Sequence, residues 1–464
     1  MFFLLVFTSA ISGQKFEPVP KNPQEIVRFK RAFNLSDNDS IITFKLIGSQ
    51  DRLLIIGEQK IQIWDVRNGQ MIDYFANQIP KIESLVRFHT ISPEGQRIIS
   101  LDPADYRLTK IRKILSKKKK LPAIMWNLKT ASQLAVLEGN SKSIRTAIWS
   151  DNGKTLVTTS SQFFASEDKE TEICFWDGET YAKRNCALMG GRLGWYYLSR
   201  DGKRFFAATG NFAFGNINNW IKIWDTKKVK LLHQFETPGG IWGYNNDFIS
   251  ADEHFFAVQS PKSIEIWELD NFSRKFQINL PQKSSWISFG SFSPDEKYVA
   301  VKNGKNGAEI YETATGELKF KMPQNEAVPE IWANNGKVLI NNYCGKASAY
   351  SLETSNLLYQ LKLVCKTRTD LVSTSVDDED QIILHPNTRY FLTKSGTAVR
   401  IWNSATGELL QTIVNPAQET EKRKNPRADD KIKGRTCFWS DDGKYLYVVG
   451  NNEKSILQYE FTGN

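Results

Sequence analysis

The sequence predicts an all-β fold made of one short unit repeated nine times, and two observations carry that prediction. The first is a recurring phrase, seen as "IKIWDTKKVKLLHQFE" from Ile221: an alternating apolar strand, a Trp-Asp stop, a turn and a second strand. Its relatives begin at Ile61, Ile124, Ile173, Ile264, Ala308, Ala347 and Val399, and the chain stops inside a ninth from Ser455. The second is a tight turn of the S-x-D-G-K kind ahead of each phrase, at 48, 92, 150, 199, 250, 293, 333, 385 and 440. Asp, Asn and Gly recur there because a tight hairpin needs a residue that tolerates positive φ and a side chain that caps the turn.

Each unit therefore reads as four antiparallel strands. Such a sheet alone leaves both faces wet, so the units must stack around an axis or along a line. At 464 residues, 41% hydrophobic and 24% charged, the chain can supply that core. No Pro-, Gly- or Ser-rich linker interrupts the series, which favours one ring of nine units over eight units or two domains. The last unit has only three strands. Residues 25 to 36, "EIVRFKRAFNLS", bring Val27, Phe29 and Phe33 in partial alternation and are assigned as the missing outer strand that closes the ring.

At Trp64-Asp65, Trp176-Asp177 and Trp224-Asp225, with Trp126-Asn127, Trp267-Glu268 and Trp402-Asn403 as variants, the chain resembles the WD-repeat β-propeller family over about residues 25 to 464. The resemblance implies a propeller of four-stranded blades that organises complexes without catalysing a reaction. The family's Gly-His dipeptide is absent, with Gly139-Asn140 in its place, and most turns before the Trp strand lack the usual Asp. The hydrogen-bonded network those residues build around the Trp is expected to be missing. Nine-unit rings of this type also occur among eukaryotic translation initiation factors, a likeness of repeat number alone.

In this topology the turns from first to second and third to fourth strand share one face, and they are short. The long insertions, residues 102 to 122, 161 to 171, 211 to 219, 366 to 379 and 415 to 433, all belong to the opposite face. Loops on a rigid scaffold carry recognition, so that face is the expected binding surface. Insertion 102 to 122 holds Arg112, Lys113, Lys117, Lys118, Lys119 and Lys120, a basic finger suited to an acidic partner. The next two bring Phe163, Phe164, Phe212 and Phe214, with Trp220 just beyond. The formal charge of +10 points the same way without naming a partner.

Residues 1 to 13 read as a signal peptide, with six apolar residues from Phe2 to Phe7 and Ala10 and Ser12 at cleavage-site spacing, followed by a linker from 14 to 24. No later stretch approaches the roughly 18 apolar residues that span a bilayer. Cys174 and Cys186 fall nearly opposite each other on neighbouring strands, and Cys344 and Cys365 sit on connections of the long-loop face. Two disulfides, with Cys437 as a core residue, fit an exported protein; reduced core thiols in the cytoplasm are the alternative. His89, His233, His254 and His385 are scattered without metal-ligand spacing, no phosphate or dinucleotide motif is present, and no cofactor is expected.

The function read from the sequence is a non-enzymatic scaffold for a protein or peptide partner. One alternative is an exported propeller enzyme or small-ligand receptor using the central channel. Trp149, Trp195, Trp242, Trp286, Trp332 and Trp439 in or near inner strands argue instead for packing or an aromatic lining. A further alternative places nucleic acid or an anionic membrane on insertion 102 to 122.

Overall fold

The alternating segments form antiparallel strands, and the computed structural model arranges them as a nine-bladed β-propeller. It describes residues 24–35, 41–48, 50–57, 60–76, 91–100, 123–128, 130, 132–138, 144, 146–160, 171–210, 220–237, 248–260, 263–279, 287–303, 308–322, 331–343, 346–362, 381–395, 398–414, 437–450 and 454–463. Strands are lettered a to d from the axis outwards. Blades 1 to 9 begin with their a strands at Ile41, Ile91, Thr146, Arg192, Ile249, Ile287, Ile331, Gln381 and Cys437. In blades 2 and 5 the innermost position is held by a single bridge, Ile91 to Ile98 and Ile249 to Phe256.

Four of the a–b turns use the same chemistry. In blade 3 the Ser150 hydroxyl accepts the Thr155 N–H (3.0 Å) and donates to Asn152 Oδ1 (2.7 Å), which in turn accepts the Lys154 N–H (3.0 Å). Ser199-Asp201, Ser293-Asp295 and Ser440-Asp442 repeat this arrangement. The fourth turn position has positive φ in all nine blades, and Gln50, Glu253, Glu296 and Thr388 hold it in place of Gly. L side chains rarely adopt that conformation, and here each reaches the a–b turn of the preceding blade. Gln50 accepts the Asp441 N–H (2.7 Å), Glu253 the Arg200 N–H (2.9 Å), Glu296 the Asp252 N–H (2.8 Å) and Thr388 the Asn335 N–H (2.7 Å).

Glu296 offers a test of that trade. Replacing it with Ala removes the tie and keeps a Cβ at φ 57°, whereas Gly removes the tie and relieves the backbone. Glu296→Ala is expected to cost about 2 kcal/mol and Glu296→Gly about 1 kcal/mol, the reverse of the usual Ala-over-Gly order. Chemical denaturation of the two variants checks the order; an Ala variant as stable as the Gly variant contradicts it.

The Asp or Asn that follows a c-strand Trp caps the c–d turn, as at Asp65, Asn127, Asp177, Asp225 and Asn403. Asp225 Oδ1 accepts the N–H groups of Lys227 (2.9 Å) and Lys228 (2.7 Å), and Asn403 does the same for Ala405 and Thr406. Both residue types offer the same acceptor, which explains their exchange along the repeats. In all nine blades the c–d ladder carries a β-bulge at the aromatic that precedes this cap, as between Ile223 and Trp224, or between Phe29 and Arg31 in blade 9. The bulge sets an extra outer-strand residue against the Trp position. It also corrects the expected alternation of residues 25 to 36. Val27 and Phe33 are buried, but Phe29 lies at the rim against Tyr459 and is 55% exposed.

Packing between blades forms the core. Buried clusters join each neighbouring pair, including blade 9 to blade 1 through Phe33, Phe44, Leu53, Tyr447 and Ile456. The ring is closed by Val27–Asn34, paired antiparallel with Ser455–Phe461 as the outer strand of blade 9. Gln411 of blade 8 grips its start, accepting the N–H groups of Ile26 (2.7 Å) and Val27 (2.8 Å) and donating to the Val27 carbonyl (2.8 Å). At that same outer-strand position, other blades meet the positive-φ residue of the next blade's c–d turn. Bulk on one side meets its absence on the other where Arg31 faces Gly69, Phe276 faces Gly316 and Tyr359 faces Gly407; Ala135 and Tyr181 pack against one shared cluster, and between blades 4 and 5 two rings fit by stacking, His233 on Phe272 (4.9 Å).

Candidate interaction face

The short a–b and c–d turns gather on one side of the ring, the narrow face. Their carboxylates are occupied by turn hydrogen bonds. Asp177 is held down to about 2, chiefly by the Thr180 N–H, and Asp201, Asp295, Asp442 and Glu296 are also held below the usual carboxylate range by turn hydrogen bonds that outweigh their burial. Groups fixed in the charged form this way serve the backbone rather than proton transfer. The connections from b to c and from d to the next a leave the described strands on the opposite, wide face.

Of the residues singled out from sequence, Trp220 is described. It opens the c strand of blade 4, half-buried, between Thr209 and Glu236 at the wide-face end. The Thr209 and Thr237 hydroxyls in this region are buried without a hydrogen-bond partner. Arg112, Lys113, Lys117, Lys118, Lys119, Lys120, Phe163, Phe164, Phe212 and Phe214 lie outside the described residues, as do Cys344, Cys365 and His89.

Cys174 and Cys186 face each other across strands c and d of blade 3 and are joined as a disulfide. Cys437 is buried between blades 8 and 9. Trp149, Trp195, Trp332 and Trp439 are buried core residues between blades. The Arg97 guanidinium covers Trp149 at 4.6 Å, Trp195 stacks with Phe256, Trp332 donates to Ser291 Oγ (2.8 Å) and Trp439 packs on His385. Of the two readings of these residues, packing holds for the four described; Trp242 and Trp286 lie outside the described residues.

Four tryptophans of the c strands keep hydrogen-bond partners despite the departures from the family pattern. Trp176 donates to Thr158 (2.9 Å) and Trp402 to Thr393 (3.0 Å) on strand b. Trp64 and Trp267 use Gln62 and Glu265, two residues earlier on their own strand, at 3.0 Å each. A partner two residues back on a strand points to the same side, so this substitute was readable from sequence.

The three described histidines take structural positions. His233 stacks in the outer strand of blade 4, and burial lowers its pKa. His254 bonds Glu296 (2.7 Å), which raises its pKa. His385 is buried in the a–b turn of blade 8. Asp252, His254 and Glu296 stand close enough together to offer ligand atoms to a cation, but Glu296 is already engaged by the Asp252 N–H and the His254 ring.

No family model matches the chain, and no curated protein does. Among solved structures it is similar to the crystal structure of a eukaryotic initiation factor, at 11% identity and a TM-score of 0.51 over 84% of this chain and 92% of that one. A chain in a crystal structure of the mitotic checkpoint complex is similar at 13% identity, with a TM-score of 0.40 over 68% of this chain and 88% of the other. The first likeness shows the propeller fold; at this identity neither says what the chain binds.

Proposed function

We propose that this chain is a non-enzymatic binding scaffold, a divergent WD-repeat-like propeller that recognises a protein or peptide partner with an acidic surface through its wide face. The observation that carries the reading is the uneven length of its connections. The narrow face is all short turns tied to one another, whereas the long sequences 101–122, 161–170, 211–219, 363–380 and 415–436 join strand ends of the wide face. A rigid ring that lengthens on one side only offers an adaptable surface there. The Arg112, Lys113 and Lys117 to Lys120 group supplies positive charge, and Trp220 an aromatic at the same end of blade 4. The disulfide in blade 3 supports an oxidising compartment, in keeping with the signal-like residues 1 to 13.

The test compares the two faces. Replacing Lys117, Lys118, Lys119 and Lys120 with Ser is expected to change folding stability by no more than about 0.5 kcal/mol. It should slow association with partners recovered from native extract, and the difference should shrink as salt rises. Replacing narrow-face Asp201 and Asp442 with Asn is expected to leave association unchanged. Loss of binding from the narrow-face changes alone contradicts the proposal. A steep log-linear salt dependence on nucleic acid, reduced in the Lys variant, would replace the protein partner with a phosphate backbone.

A further inference from the structure

Six of the a–b turns begin with Ser, at Ser92, Ser150, Ser199, Ser250, Ser293 and Ser440, whereas blade 8 begins its turn with His385. The ring is 3% exposed and both its nitrogens are used. Nδ1 accepts the Asn387 N–H (3.0 Å), so the proton resides on Nε2, which donates to the Gly443 carbonyl in the a–b turn of blade 9 (2.9 Å). Gly443 can approach because it has no Cβ; one placed there would lie 2.6 Å from the imidazole. The rest of the ring packs on Trp439 (4.5 Å) and Phe461 (4.3 Å), with Tyr390 at 6.1 Å.

This site fits one neutral tautomer. A second proton would fall on Nδ1 and turn its lone pair, directed at a backbone N–H, into a donor facing a donor. The groups in contact offer no negative charge: Asn387 and Tyr390 come from blade 8, and Gly443, Trp439 and Phe461 from blade 9. Beside Gly443, Asp442 and Lys444 pair with each other (3.2 Å) and are exposed to water. The position of the ring gives its titration a mechanical outlet. Phe461 ends the strand that pairs with Val27, the next residue Thr462 bonds the Ile26 carbonyl (2.9 Å), and Gln411 of blade 8 holds Ile26 and Val27.

We propose that His385 makes closure of the ring acid-labile: protonation of its buried imidazole loosens blade 9 from blade 8 and frees the outer strand Val27–Asn34 that locks the two ends of the chain together. Burial lowers the basicity of this imidazole in the closed ring. An opened ring therefore takes up the proton first. The contribution to closure is complete above the ordinary histidine value of about 6.5 and is lost as pH falls from there through the lower closed-state value. His254 responds in the opposite sense. Its bond to Glu296 raises its pKa, so that tie between blades 5 and 6 is present below about 6.5 and lost as pH rises through the raised value. Acidification thus loosens one joint and holds the other.

Hydrogen exchange read by mass spectrometry at pH 7.5 and 5.5, corrected for intrinsic rates, tests this. In the parent protein, amides of residues 27–34 and 455–461 are expected to exchange about threefold or more faster at the lower pH, since each unit of pKa depression shifts opening by about tenfold. Residues 263–279 in blade 5 should show no such acceleration. His385→Ser, which installs the residue of six sister turns, and His385→Gln, which keeps an acceptor and a donor without titrating, should both abolish the pH effect. Equal acceleration in parent and variants, or none in the parent, overturns the proposal. Should both variants fold poorly, an NMR titration of the parent decides: an imidazole that titrates at or above 6.5 while Phe461 stays unperturbed refutes it.

Discussion

Removal of residues 25 to 36 is expected to leave a protein that aggregates or melts far below the parent. The segment supplies the outer strand of blade 9, and without it Ser455–Phe461 becomes an unpaired edge. It also buries Ile26, Val27, Phe33 and Leu35, each worth about 1.5–3 kcal/mol when removed from water, and Phe33 packs edge-on against Trp64 of blade 1. Their sum is comparable with the 5–15 kcal/mol typical of a whole domain. A synthetic peptide of residues 25 to 36 added in trans should restore part of the lost thermal stability, because the strand is held by hydrogen bonds and apolar contact. A truncated protein that unfolds at the parent's midpoint would show that the ring closes by other means.

Replacing both Cys174 and Cys186 with Ala should cost about 3 kcal/mol, the loop-entropy value for a bridge spanning 12 positions. Cys174 is fully buried among Ile99, Met125 and Leu137 of blade 2 and Trp149 and Trp176 of blade 3, while Cys186 lies on the outer strand. The bond therefore anchors an exposed edge to the inter-blade core. Denaturant titration should move the midpoint down with little change in slope, and mass mapping of non-reduced protein should find the linked peptide. A variant with the parent's midpoint would show that the bridge adds no stability. Five free thiols in protein taken from its own compartment would remove this support for export.

Much of the ring was legible because its signals are local. Trp-Asp ends, turn residues at fixed offsets and period-two alternation are properties of adjacent residues, and they located nine units and the strand that completes the last. What was not legible depends on neighbours in space. Glu253, Glu296 and Thr388 look like poor turn residues in sequence; their use appears only when the preceding blade's turn is beside them. Phe29 reads as a core residue because its place at the rim, against Tyr459, is invisible in a run of letters, as is the bulge that turns Phe33 to the other face. Nothing in "HPNTR" announces that His385 reaches the Gly443 carbonyl 58 positions away. For the candidate site the sequence offered residue types and lengths, and of the named side chains Trp220 alone falls within the described part.

The matching of outer-strand bulk to the following turn gives the blades a fixed seating order. Setting blade 2 ahead of blade 6 would bring Ala135 against Gly316 and leave a hollow, and setting blade 5 ahead of blade 3 would force the rings of Phe276 and Tyr181 into one space. Descendants of a duplicated unit in this ring could therefore diverge only in step with their neighbours. Cutting and rejoining the chain at a new pair of ends keeps every neighbour and should be tolerated where the order of blades is preserved, whereas transplanting a single blade should fail even though each unit shares the same strand plan. The repeats are alike in construction and have become individual by position.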